Sequence, residues 1–91
     1  MKSIQRLIGG WSRATFPNAD DDAFAAKLAE EVAEAVAEKR SHRLAEELAD
    51  VVIVAMSWAD RIGVDLESEV IAKMEINPVP QADAESDKVK S

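Results

Sequence analysis

The segment EEVAEAVAEKRSHRLAEELAD, residues 30–50, decides the fold of this 91-residue chain. A polar run at residues 39–42 divides it into two halves, and each half has the composition and residue spacing of an α-helix. We predict a tight turn in that run, with its midpoint between Arg40 and Ser41. The two helices then form an antiparallel hairpin.

The register of this hairpin brings four acidic side chains to one level. Glu34 and Glu47 are equidistant from the turn midpoint, and so are Glu31 and Asp50. At a rise of about 1.5 Å per residue, the two pairs lie roughly 10 to 14 Å from the turn. Within each helix, a spacing of three residues places both acids on one face. We therefore expect four carboxylates to converge, with no basic residue of the motif between them.

Carboxylates gathered so closely indicate a bound cation. Like charges raise one another's pKa and destabilise the folded protein unless a cation lies among them. Ligand sets made only of oxygen atoms suit Mg²⁺ or Mn²⁺ rather than zinc. The sequence therefore predicts a magnesium site at Glu31, Glu34, Glu47 and Asp50, at which Mn²⁺ can substitute.

The rest of the chain is predicted to be helical, which makes the fold class all-α with a four-helix, antiparallel bundle-type subunit. Residues 1–77 are expected to form one domain, and residues 78–91 a polar, disordered tail. The helix boundaries are expected as follows: a short first helix that ends at Gly9-Gly10, a second from Asp20 or Asp21 to about Lys39, a third that is N-capped by Ser41 and stopped by Gly63, and a fourth that is capped by Asp65 and ends near Ile76.

The apolar surface of the two central helices exceeds what one small subunit can bury. The second helix is apolar or alanine over more than half of its circumference, and residues 51–56 are apolar on every side. Those six residues alone would also suit a buried strand, but the length of the surrounding segment favours a helix. A bundle helix usually buries one stripe a little over about 100° wide. We therefore expect an obligate oligomer, at least a dimer.

Composition limits the possible partners. The net charge of −7 argues against a nucleic-acid polymer or an anionic membrane as the main partner. The chain has no cysteine, so disulfides and thiolate metal sites are excluded. It also has no signal-peptide pattern and no apolar run near the roughly 20 residues that a membrane span requires. We expect a cytoplasmic protein.

Several other side chains have both a structural and a functional interpretation. Trp11 and Phe16 lie in a segment predicted to be irregular, where they could cover a flat ligand or simply pack. Glu30 is either part of a solvated face or a base next to the metal. Lys73 and Asn77 lie four residues apart on one helix face, where they could be plain surface residues or donors to a metal-bound phosphate. Two further residues have a favoured structural interpretation: Trp58 as core and His42 as an exposed turn residue.

The order and spacing of these motifs resemble one known family. The segments are Lys27-Leu28-x-Glu30-Glu31-x-x-Glu34, Glu47-x-x-Asp50-Val51, Gly63-Val64-Asp65-Leu66 and Lys73-Met74-Glu75-Ile76-Asn77. Together they are similar to the MazG-like nucleoside triphosphate pyrophosphohydrolases of the all-α NTP pyrophosphatase superfamily. The resemblance covers roughly residues 11 to 77, and the chain departs from the pattern at Pro78-Val79-Pro80.

The resemblance implies a helical dimer, or a dimer of dimers, that hydrolyses an NTP or dNTP between the α- and β-phosphorus. By position, the family's Mg²⁺ ligands fall on the four predicted acids, and its phosphate-contacting residues on Lys73 and Asn77. Glu30 or Glu34 would accept the proton of the attacking water. The alternative is a non-enzymatic helical oligomerisation module that keeps the acidic cluster as a structural cation site.

Overall fold

The computed structural model describes residues 2–76, and their side chains from Ile4 onward. It contains α1 (Lys2–Thr15), α2 (Asp21–Ala37), α3 (Ser41–Arg61) and α4 (Leu66–Ile76), and no strand within that range. The all-α prediction is confirmed. Asn77 and the predicted tail at residues 78–91 lie outside the described residues.

The α2–α3 hairpin is the principal packing unit of the subunit. As predicted, α2 begins after the N-cap Asp20, whose Oδ1 accepts a hydrogen bond of 2.9 Å from the backbone N–H of Ala23. The helix ends at Ala37, two residues earlier than Lys39. The helix stops there because Glu38 adopts an extended backbone, and the Glu38 carboxylate contacts Arg40 instead.

The turn between α2 and α3 is held by that same carboxylate. Glu38 Oε2 accepts hydrogen bonds from the backbone N–H of Arg40, at 3.1 Å, and from its Nε, at 3.3 Å. The backbone bond to Arg40 is the main reason why the pKa of Glu38 is lowered. The prediction that Ser41 is the N-cap of α3 was wrong: Arg40 occupies that position without a side-chain cap, and Ser41 is the first helical residue. His42 is exposed in the first turn of α3.

Helix α1 runs through Gly9-Gly10, so the prediction of a short first helix was wrong. The two glycines have different surroundings. A Cβ atom on Gly9 would overlap the carboxylate of Asp60 on α3, which is in turn paired with Arg13 of α1. A Cβ on Gly10 would meet only Arg13 Nη2, at 3.9 Å. Gly9 therefore permits close packing of α1 against α3 and does not break the helix.

The turn after α3 is closed by a glycine, as predicted. Gly63 has a φ of +77°, and the backbone N–H of Val64 donates to the carbonyl of Ala59 at 2.8 Å. This is the left-handed helix stop that glycine adopts most easily. The buried side chain of Gln5 on α1 secures the turn, because its Nε2 donates to Val64 O at 2.6 Å and its Oε1 accepts from Leu66 N at 2.9 Å.

The start of α4 also agrees with the prediction. Asp65 Oδ1 accepts a hydrogen bond of 3.4 Å from the backbone N–H of Ser68, and Asp65 Oδ2 accepts from the Ser68 hydroxyl at 3.1 Å. Asp65 is therefore the N-cap of a helix that extends to the last described residue, Ile76.

The core lies where α1, α2 and the second half of α3 meet. Its buried apolar residues are Phe24, Val54, Met56 and Ala59. Trp58, predicted to be core, stacks on Phe24 with ring centroids 6.3 Å apart and donates from Nε1 to Asp21 at 2.8 Å.

Packing within one subunit is less regular than in the predicted bundle. Helix α4 lies against α1, buries no residue, and exposes Val70, Ile71 and Met74. Val36 on α2 is also exposed, and so is Val52 in the apolar run 51–56 of α3. Among residues 2–76, no helix combines the length and apolarity needed to cross a bilayer.

Candidate metal centre and adjoining cavity

Three of the predicted metal ligands converge in the α2–α3 hairpin. Carboxylate oxygens of Glu31 and Glu34 on α2 and of Glu47 on α3 all lie within 4.8 Å of one another. Glu31 and Glu34 share a helix face because they are three residues apart, and Glu47 faces them because the hairpin has the predicted register. This arrangement can hold a hard cation through oxygen ligands.

Burial makes the cluster a good fit for such an ion. Glu31 is 6% exposed, and Oε1 of Glu31 and Oε1 of Glu47 are buried without a hydrogen-bond partner in the described part of the chain. Buried carboxylate oxygens are destabilising unless they are paired. The charge of Glu31, followed by desolvation and the hydrogen bond to Glu47, raises the pKa of Glu34. A divalent cation would neutralise this charge and satisfy both unpaired oxygens.

Lys27, one turn before Glu31, was not expected at the site. Its Nζ lies 3.1 Å from Glu31 Oε2 and 3.7 Å from Glu30 Oε1. The hydrogen bond to Glu31, followed by the charge of Glu30, raises the pKa of Lys27. Lys27 lies outside the segment 30–50 on which the prediction of converging acids was based, and its ion pair with Glu31 was not predicted. The spacing of four residues on a helix was the signal that could have revealed this pair.

Asp50 and Glu30 lie outside the three-carboxylate cluster. Asp50 is on the face of α3 that lines a neighbouring cavity, together with Glu31 and Lys27. Glu30 is exposed, and its described contact is the ion pair with Lys27. The structure therefore gathers three of the four predicted ligands and places the fourth at the adjoining cavity wall.

This cavity has a volume of about 620 Å³ and is lined by α1, α2, α3 and the α1–α2 loop. One end carries the charged residues Lys27, Glu31 and Asp50, whereas Trp11 and Phe16 lie at the aromatic end. Those two rings pack edge to face, with centroids 5.7 Å apart, and each is about half exposed. The cavity therefore joins an anionic end to an aromatic surface, so it offers a ligand both charged and apolar contacts.

Two polar residues of this cavity were missed by the sequence interpretation. Ser12 on α1 is 1% exposed and Ser57 on α3 is 4% exposed, and both line the wall beside Phe24 and Val54. A serine on an otherwise apolar helix face gives little signal in a sequence, because its hydroxyl can bond to its own helix.

One of the two predicted phosphate contacts, Lys73, lies apart from the cavity beside the carboxylates. Lys73 lies on α4, where it lines a shallow depression with Leu66, Glu69, Val70 and Met74. It is not among the residues that line the cavity. Asn77 lies beyond the described residues, so its position relative to Lys73 stays a prediction.

A known protein family matches most of the chain. The sequence profile of the MazG-like family matches residues 22–90. The chain belongs to the MazG-like family. The match begins at the second residue of α2 and includes the rest of the α2–α3 hairpin, and with it the carboxylate cluster. No solved structure matches the chain significantly.

Two curated relatives are named dATP/dGTP diphosphohydrolase. The protein of Salmonella phage PMBT28 is 38% identical over 74 residues, which are 81% of this chain and 25% of that protein. The protein of Cyanophage S-2L is 36% identical over 74 residues, which are 81% of this chain and 70% of that protein. This chain therefore spans about a quarter of the first relative and more than two thirds of the second.

Proposed function

We propose that this MazG-like protein is a Mg²⁺-dependent nucleotide pyrophosphohydrolase that cleaves a dNTP or NTP between the α- and β-phosphorus. The products are the monophosphate and pyrophosphate. The observation that carries the proposal is the carboxylate cluster, with its two unpaired buried oxygens, next to a cavity of nucleoside size. The names of the two relatives make dATP and dGTP the first substrates to test.

The acidic residues would hold the metal. Glu31, Glu34 and Glu47 supply converging oxygens, and Asp50 would join them from the cavity wall. When bound there, Mg²⁺, or Mn²⁺ in its place, would neutralise phosphate charge and lower the pKa of a water molecule. Glu34 or Glu30 would accept the proton of the attacking water, since Glu34 is an exposed member of the cluster and Glu30 is an exposed carboxylate beside it.

The remaining site residues would bind the nucleotide. Trp11 and Phe16 would cover the base, and Lys27 would donate to an α-phosphate oxygen once a metal replaces it at Glu31. Each of these contacts fixes the reacting phosphorus relative to the water, which lowers the entropic part of the barrier.

We further propose that two copies of the chain associate and that Lys73, with Asn77, reaches the phosphates in that assembly. The support is the exposed apolar surface of α4, α2 and α3, including Val36, Val52 and Met74. An exposed surface of this extent is unusual for a soluble monomer.

The test is pyrophosphate release from a panel of triphosphates, with and without Mg²⁺. Glu47→Gln should lower the rate by at least about 100-fold, because even partners that only orient metal ligands contribute 10- to 100-fold. The matched control is Glu46→Gln, the exposed neighbour on the same helix, which should retain activity. No release from any triphosphate by the wild-type protein would refute the proposal. If Mg²⁺ still raised the melting temperature, the oligomerisation module with a structural cation site would be favoured.

A further inference from the structure

We propose that the hydroxyls of Ser12 and Ser57 contact the edge of the nucleobase that lies furthest from the phosphates. These contacts favour 6-oxopurines over 6-aminopurines. The inference rests on the proposed function, because it assumes that a nucleotide occupies the cavity with its phosphates at the metal. It adds the part of the site that selects the base.

The first argument is position along α3. Asp50 and Ser57 are seven residues apart, which is two helical turns, so both lie on the same face and about 10 Å apart along the axis. A nucleoside monophosphate has a similar length from its phosphate to the outer edge of a purine. With the phosphate held at the Asp50 end, the base edge therefore reaches Ser57.

The second argument is the chemistry of the wall at that end. Ser12 and Ser57 are almost completely buried, and their neighbours on the cavity wall include Phe24, Ile53 and Val54. In surroundings this apolar, a hydroxyl contributes to binding mainly through a directed hydrogen bond, and a ligand that cannot make the bond loses affinity. The aromatic residues Trp11 and Phe16 can cover any base, so the two serines are the residues that can distinguish one base from another.

The third argument is the direction of the Ser12 hydroxyl. Arg61 Nη2 lies 3.5 Å from Ser12 Oγ, and a guanidinium only donates hydrogen bonds. The oxygen of Ser12 can therefore accept from Arg61. Among residues 4–76 no acceptor takes the Ser12 hydroxyl proton, so this proton is available to a ligand in the cavity. Guanine presents the acceptor O6 at the position where adenine presents an amino donor. A donating Ser12 consequently favours the 6-oxo group.

The experiment measures kcat/KM for dGTP, dITP and dATP in the wild-type protein and in single serine variants. dITP shares O6 with dGTP and lacks its 2-amino group, so it isolates the hydrogen bond from the serine hydroxyl to O6. Ser12→Ala should reduce kcat/KM for dGTP and dITP by about 2- to 10-fold, the effect of one neutral hydrogen bond, and change dATP less. Ser57→Ala should also alter the ratio between the bases. Ser41→Ala, an exposed position on the same helix as Ser57, is the matched control and should leave all ratios unchanged.

A binding measurement separates this inference from the proposed function. Calorimetric titration of dGMP, dIMP and dAMP in the presence of Mg²⁺ requires no turnover. Tighter binding of dGMP and dIMP, lost in Ser12→Ala, supports the inference even if the protein hydrolyses nothing. The inference would be overturned if Ser12→Ala lost the same affinity for all three monophosphates or lost none. It would also be overturned if the wild-type protein bound dAMP most tightly. If Ser12→Ala is less stable because of its contact with Arg61, the change in base ratio in Ser57→Ala decides the question.

Discussion

Replacing Gly9 with alanine tests the close packing of α1 on α3, and Gly10 provides a matched control one residue away. The same substitution should have opposite effects at the two positions. At Gly10 the new methyl group meets only Arg13 Nη2, at 3.9 Å. In the interior of a helix, alanine is more favourable than glycine by roughly 0.5–1 kcal/mol, so Gly10→Ala should stabilise the protein.

At Gly9 the gain in helix propensity is opposed by a steric clash. The new Cβ would overlap the carboxyl group of Asp60, whose Oδ2 would be only 2.7 Å away. Either Asp60 must rotate and lose its pair with Arg13, or α1 must move away from α3. Overpacking of this kind typically costs about 1–3 kcal/mol, so the net effect of Gly9→Ala should be a loss of roughly 1–2 kcal/mol.

Thermal unfolding at one fixed protein concentration measures both variants. For a domain of this size, 1 kcal/mol corresponds to about 4–8 °C in Tm, so the two variants should melt roughly 10 °C apart, on opposite sides of the wild type. The double variant Gly9→Ala/Asp60→Ala should recover most of the loss, because it removes the clashing group. Equal stabilisation by both single substitutions would refute the packing that we describe.

Three further predictions concern the site and the assembly. Asp50→Asn should abolish Mg²⁺-dependent hydrolysis and leave the metal-free fold intact or more stable, because it removes a ligand and a like charge; full turnover at ordinary Mg²⁺ would contradict this, and circular dichroism monitors the fold. Lys27→Met should lower the Mg²⁺ concentration at which half of the maximal increase in Tm is reached, because it removes the cation that competes for Glu31. A titration of Tm with Mg²⁺ that gives the wild-type midpoint would rule out the competition. Ala33→Glu, on the exposed alanine-rich side of α2, should dissociate the assembly; sedimentation at micromolar concentration would show an unchanged oligomer if that side is not the interface.

The α2–α3 hairpin could be predicted because its determinants are local. Helical periodicity, the Asp20 cap and a short polar turn are all visible within residues 20–50, and together they set the register of Glu34 against Glu47. The register could therefore be predicted without knowledge of the rest of the fold. The glycine stop at Gly63 was predictable for the same reason.

The error at Gly9 arose because a distant contact outweighs local preference. Gly9 lowers helix propensity, but its missing side chain makes room for Asp60, which is 51 residues later in the sequence. The lining of the cavity by Ser12 and Ser57 likewise depends on how α1 docks on α3. For Lys73 the sequence and the fold give equally little information, because the face of α4 that carries it has little to pack against in the described part of the chain.

The contacts of Arg61 have a consequence for the order of folding. Its guanidinium lies 5.1 Å from the centre of the Phe24 ring and donates to the carbonyls of Phe16, at 3.1 Å, and Ala19, at 2.9 Å. These acceptors precede it by 45 and 42 residues, whereas the hairpin closes around a turn of a few residues. Contacts between distant residues form late because the chain must first lose the entropy of a long loop. We therefore expect the hairpin to form first, and α1 to dock only when the last turn of α3 can present Arg61. In the native protein the amides of α1 should then exchange with solvent before those of α2 and α3, and exchange in the opposite order would exclude this sequence of events.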